Sequence, residues 1–185
     1  LKLTIPLLGM HQVANAATAY VALQVAAQAG LFISDDHILK GFRQTIWPGR
    51  FEILQRDPFV VVDSAHNRDS ALHLRQTLDD YLPGKRVTMI FGASEDKDIS
   101  GMFAELLPRV QRLVVVKSFH PRAADPEMLA DLARAYGCPV SIIPDVASAI
   151  TETLDQAKPE EVILVAGSIF VAAGARIAWL KQHGV

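Results

Sequence analysis

From Phe51 onward the chain repeats one pattern. Short apolar runs of four to six residues alternate with longer segments whose apolar positions recur every three or four residues. The runs Phe51–Gln55, Phe59–Val62, Arg86–Phe91, Leu113–Lys117, Val140–Ile143 and Val162–Ala166 read as strands. Between and after them, Arg68–Tyr81, Ile99–Leu107, Pro126–Tyr136, Val146–Ala157 and Ser168–His183 read as helices. Strands joined through helices cannot pair as hairpins, so the pattern calls for a mostly parallel sheet covered by helices on both faces. The fold class is α/β, a Rossmann-like three-layer α/β/α sandwich.

The first 50 residues obey a different rule. Residues 1–8 read as a short strand leading to Gly9. An alanine-rich helix then runs from His11 to Ala29, closed by Gly30 just past its end. It is apolar on most faces and should be buried against something large. A second helix starts near Ser34 and stops before Pro48, and Trp47-Pro48-Gly49-Arg50 is a turn that divides the chain into 1–47 and 48–185. The chain opens with Leu1, which suggests the back part of a longer polypeptide.

Charge and cysteine content exclude several function classes. With 18 basic and 20 acidic residues the net charge is −2, which gives no footprint for nucleic acid or an anionic membrane surface. The single cysteine, Cys138, allows no internal disulfide and fits a reducing, cytoplasmic setting. Val162 to Leu180 is long enough to span a bilayer, but it contains Gly167, Ser168 and Arg176, and a strand followed by a helix explains it better. No phosphate loop ending in Gly-Lys-Ser or Gly-Lys-Thr is present, nor a Gly-x-Gly-x-x-Gly turn, a His-Glu-x-x-His helix or a serine elbow.

Chemistry concentrates where strands end, because open α/β sheets bind ligands at the carboxyl edge. Asp63 and His66 follow the most apolar strand, and Asn67 is placed to cap the next helix. Arg50 offers a planar cation for a phosphate or carboxylate. Lys97, in Asp96-Lys97-Asp98, can meet an anion, and Ser168 opens a helix whose free N–H groups suit a carboxylate. His11 and Asn15 lie one turn apart on the apolar helix and need polar partners. Each has a plainer alternative: a tied-down turn, a surface ion pair, a helix cap or a structural hydrogen bond.

Taken together, Gly9-Met10-His11-Gln12 with Asn15, Trp47-Pro48-Gly49-Arg50-Phe51-Glu52, Asp63-Ser64-Ala65-His66-Asn67, Asp96-Lys97-Asp98 and Gly167-Ser168 resemble the folylpolyglutamate synthase and dihydrofolate synthase family of the Mur ligase superfamily. Ser64 stands where the family usually has glycine and Arg68 where it usually has proline. The resemblance implies that 1–47 is the tail of a central ATPase domain and 48–185 a carboxyl-terminal domain. It implies an ATP-dependent ligase that activates a folate or dihydropteroate carboxylate as an acyl phosphate and joins L-glutamate to it. ATP contacts fall on Asn15, Arg50 and Asp63, amino-acid contacts on Ser168 and Lys97, and His66 lies at the reaction centre. Mg²⁺ ligands and the phosphate loop would belong to an amino-terminal ATPase domain of the same polypeptide. A Mur ligase acting on peptidoglycan precursors and a non-catalytic nucleotide-binding module remain as alternatives.

Overall fold

A computed structural model describes residues 1–184, which form two compact units, one of residues 1–48 and one from Gly49 onward. In the first, helix α1 (Met10–Gln28) and helix α2 (Asp35–Arg43) are joined by a turn in which Gly30 adopts φ 100°. Ser34 caps α2 by accepting from His37 N, and the His37 ring accepts in return from Ser34 N. Ile38 and Phe42, four apart on one face of α2, are its buried side chains.

Two expectations fail in this unit. Residues 1–8 form no strand. A strand exists only through a ladder to a neighbour, and no described strand pairs with them. Helix α1 is not buried either: Val13, Val21 and Val25 are each more than half exposed, and Gln12 is its only buried residue. Its alanine-rich surface is apolar all round, so no one stripe directs it onto α2.

The second unit is a six-stranded sheet in the order β1-β2-β6-β3-β4-β5. Strand β1 (Glu52–Arg56) runs antiparallel to β2 (Phe59–Val62), and all other pairs are parallel. The remaining strands are β3 (Val87–Phe91), β4 (Arg112–Val115), β5 (Val140–Ile142) and β6 (Val162–Ala166). The last strand inserts at the centre, between β2 and β3, and every one of its five residues is buried. This two-sided burial explains its unbroken apolar run.

Helices α3 (Arg68–Tyr81), α4 (Ile99–Leu106), α5 (Pro126–Ala135), α6 (Val146–Gln156) and α7 (Ile169–His183) complete the unit. Alternate strand residues divide between two cores. Val60, Val62, Ile90, Val114, Ile163 and Val165 pack with Ala149 and Ile150 of α6 and Val171, Ala172 and Ala175 of α7. The intervening residues face the other way, where the Phe91 and Phe103 rings meet with centroids 4.9 Å apart. Side chains start all five of these helices: Asn67, Asp98, Asp125, Asp145 and Ser168 accept from Ser70, Gly101, Glu127, Ser148 and Phe170 N–H groups.

Candidate functional site at the carboxyl edge of the sheet

The loops leaving β2, β6, β3 and β4 emerge on one edge, as parallel pairing requires. Antiparallel β1 brings a fifth segment there, because its first residue, Glu52, pairs with Val62 at the end of β2. Arg50 is thereby carried to the same edge. A cavity of about 180 Å³ opens among these loops. Arg50, Ser64 and His66 line it from the β1–β2 side, and Gly167, Ser168, Ile169 and Phe170 from β6 and α7. Ser94 and Lys97 reach it after β3, and Arg122 after β4. A drug-sized ligand needs a pocket of at least about 300 Å³. The space suits an amino acid or a terminal phosphate better than a whole nucleotide.

Asp63 braces the β1–β2 side. One carboxylate oxygen accepts from Phe51 N and the other from Ala65 N, both at 2.7 Å. The residue is 8% exposed and does not line the cavity. Burial pushes its carboxyl above the usual range. The Phe51 and Ala65 N–H groups and the charges of Arg50 and His66 pull it back without cancelling that effect. Phe51, itself buried, sits at φ 42°, where a side chain is strained. Asp63 therefore holds the backbone beside Arg50 in a conformation it would not choose alone. Ser64 N donating to Gly49 O, and Gly49 N to Glu52 Oε2, close the same loop. Glu52 in turn pairs with Arg176 Nε at 2.9 Å.

His66 is exposed, with Nδ1 3.0 Å from Ser64 O. A carbonyl only accepts, so Nδ1 carries the proton and the lone pair of a neutral ring lies on Nε2. Ser168 is 5% exposed, and its Oγ accepts from Phe170 N while its own hydroxyl hydrogen remains available to a ligand. Gly167 N donates to Ala65 O, tying the start of α7 to the Asp63 turn. At Gly167 (φ 105°) an added Cβ would lie 2.7 Å from both Gly92 O and the Phe91 ring, so this floor admits only glycine.

On the far side Asp96 Oδ2 lies 3.4 Å from both Lys97 Nζ and an Arg122 guanidinium nitrogen. Desolvation is the largest single influence on the Asp96 carboxyl and raises it, but the hydrogen bond and charge of Lys97 and the charge of Arg122 together outweigh it and hold the group below the usual range. Asp98 of the same loop caps α4.

The structure thus brings Arg50, His66, Lys97 and Ser168 to one cavity. It places Asp63 behind that cavity rather than in it. Asn15 belongs to the first unit, where its amide donates to Gln12 Oε1 and Gln12 meets His11 Nε2 at 2.9 Å. The polar pair on α1 is therefore partnered through Gln12. Arg122, Ser94 and Phe170 had no role in the sequence reading, although the rule that loops at strand carboxyl ends carry function could have flagged the segment after β4. Among the described residues no group of three or more His, Cys, Asp or Glu side chains could hold a metal ion, and no helix is long and apolar enough to cross a membrane.

Comparison with known proteins fixes the family. The model of the Mur ligase glutamate ligase domain matches residues 49–169, well over half of the chain. The chain belongs to the Mur ligase family. Among curated relatives of this ligase chain, a probable bifunctional folylpolyglutamate synthase/dihydropteroate synthase of Haloferax volcanii is 36% identical over 98% of the chain and 21% of its own length. The dihydrofolate synthase/folylpolyglutamate synthase of Escherichia coli is 35% identical over 86% of the chain and 36% of its own length. In solved structures, E. coli FolC in complex with DHPP and ADP superimposes with a TM-score of 0.83 at 31% identity, covering 98% of this chain and 41% of that one. The chain therefore spans between a fifth and two fifths of these relatives.

Proposed function

We propose that this Mur ligase chain is the carboxyl-terminal part of an ATP-dependent amide ligase that adds L-glutamate to a folate or dihydropteroate acceptor. The observation that carries the reading is the cavity itself, a cation-rich slot of amino-acid size with a helix N-terminus in its wall. The bound ADP and DHPP of the E. coli relative support the same reading. So does the bare apolar surface of α1, which suits the tail of a larger ATPase domain.

In this reading the acceptor carboxylate attacks the γ-phosphorus of ATP and ADP leaves. The amine of glutamate then attacks the acyl carbon, and inorganic phosphate departs as the amide forms. Arg50 neutralises phosphate charge, while Ser168 and Lys97 hold the amino acid. The Nε2 lone pair of His66 takes the proton that the amine must lose. Asn15 and Asp63 are nucleotide contacts by family pattern, and Asp63 adds a second task by fixing the loop that carries Arg50. A Yersinia pestis relative is solved in complex with AMPPNP and a Mn ion, and in this reading a divalent metal would be held by residues of the amino-terminal ATPase domain.

The full-length gene product, assayed with ATP, L-glutamate and a folate acceptor, tests this directly. Arg50→Ala should cut kcat by about 10²-fold. Turnover within a few-fold of the unmodified enzyme removes Arg50 from the mechanism.

A further inference from the structure

Arg50 reaches the cavity with no side chain to hold it. Among the described residues its guanidinium has no hydrogen-bond or ion-pair partner, and its one described interaction is through charge, with Asp63 behind it. A long side chain of this kind has many rotamers, so its reach is set by the backbone it stands on. That backbone is pinned on both sides. Phe51 N donates to Asp63, and Gly49 N donates to Glu52 Oε2 at 2.8 Å. Glu52 is itself held from elsewhere: the Arg176 Nε–H is shared between its two carboxylate oxygens, at 2.9 and 3.0 Å, across 124 residues of chain. Arg176 is the only charged residue between Ile169 and Leu180, in a stretch of helix otherwise built from apolar residues.

We infer that Glu52 is a positioning residue: it ties the turn that bears Arg50 to helix α7, and so sets the phosphate-binding guanidinium relative to the amino-acid end of the site. This rests on the function proposed above. The path is continuous. Arg176 lies two turns into the helix that Ser168 starts, about 12 Å along its axis. From Arg176 the bonds run to Glu52 and on to Gly49. Ser64 N donating to Gly49 O, and Gly167 N to Ala65 O, return the path to the residue before Ser168. Arg50 and Ser168 thus stand on one closed ring of hydrogen bonds. A plain surface ion pair would contribute little. Here the two side chains are partly withdrawn from water, Glu52 at 22% and Arg176 at 33% exposure, and the carboxylate also accepts a backbone N–H next to Arg50. The proposed reaction needs acyl phosphate and amine in one geometry, and a misplacement of about 1 Å can cost about 10²-fold.

A double-mutant cycle in the full-length gene product, assayed with ATP, L-glutamate and a folate acceptor, tests the assignment. Glu52→Ala should lower kcat about tenfold or more and leave KM for L-glutamate within about threefold, since Ser168 and Lys97 are untouched. In an Arg50→Ala background the same substitution should change kcat by less than about twofold, because a residue that acts through Arg50 has nothing left to position. Glu52→Gln, which keeps an acceptor for Gly49 N, should recover part of the loss, and it carries the same cycle if Glu52→Ala does not fold. Equal losses with and without Arg50 overturn the assignment, since that pattern marks a merely structural role. An unchanged kcat in Glu52→Ala, beside a loss in Arg50→Ala, overturns it while leaving the ligase reading intact. Absence of glutamate ligation by the unmodified enzyme overturns the ligase reading, and the assignment with it.

Discussion

Replacing Asp63 by Asn isolates the group that holds the Arg50 loop. The carboxylate accepts from two buried N–H groups, those of Phe51 and Ala65, through separate oxygens. An amide has one oxygen, so whichever way the substituted side chain turns, its NH₂ faces one of those donors. A buried donor left without an acceptor costs about 1–3 kcal/mol. Asp63→Asn should therefore destabilise the 49–185 unit by about 1–3 kcal/mol at neutral pH. Urea unfolding followed by Trp179 fluorescence in a Trp47→Phe background measures this, because Trp179 lies in that unit and stacks on His183. A loss below about 0.5 kcal/mol, the range of an ordinary surface substitution, would refute the bracing role.

The pH dependence of that difference carries a second, signed test. Burial raises the Asp63 carboxyl above its ordinary value of 3.8 in the folded state. Between the ordinary and the folded value the native protein binds more protons than the unfolded chain. The protonation-linked part of Asp63's contribution to stability is then fully present below pH 3.8 and is lost as pH rises through the folded value, on top of the pH-independent hydrogen bonding. Asn does not titrate, so the stability gap between the natural protein and Asp63→Asn should narrow as pH rises through that window. A gap that widens instead would show that the two N–H donors and Arg50 outweigh desolvation.

Four further outcomes are expected. Gly167→Ala should cost about 2–4 kcal/mol in denaturant unfolding, since the new Cβ meets Gly92 O and Phe91 at positive φ. Gly174→Ala, where the nearest atom lies at an ordinary 3.4 Å, should be neutral or stabilise α7 by about 0.5–1 kcal/mol. Ser168→Ala should lower stability by about 0.5–2 kcal/mol through the lost cap and also raise KM for glutamate in the full-length enzyme. Calorimetry of this chain with ATP should find weak or undetectable binding, and tight binding would favour a self-sufficient nucleotide module.

The β/α alternation after Phe51 was legible because each strand is buried on both faces or at an edge, and each helix has a polar starting residue. Strands β2 and β6 and helix α3 fall where the residues place them. Segment 1–8 misled because apolar, β-compatible residues describe what a strand needs from its own side chains and nothing of its neighbour. Helix α1 misled for a related reason: uniform apolarity predicts that a surface will be covered, and does not say by which residues. At the site, Arg50, His66, Lys97 and Ser168 were visible as chemistry at strand ends. The position of Asp63 behind the cavity was not, because it depends on the positive φ of Phe51 and on a twelve-residue return of the chain.

Arg122 was hidden for a deeper reason, the order of the strands. Read along the chain, β2 and β3 are successive, and nothing in the residues between them shows that β6 will part them. That insertion is what puts Ser168 between His66 and Lys97 and leaves Arg122 at the outer end of one row. It also means that the row is incomplete until Val162–Ala166 has paired on both sides. Arg50, His66, Lys97 and Arg122 all precede β6, yet their spacing is set by it. The arrangement that would separate phosphate from amino acid is thus a property of the last strand to enter the sheet in sequence order, and the buried, glycine-only floor at Gly167 is where that strand and the Asp63 turn are locked together.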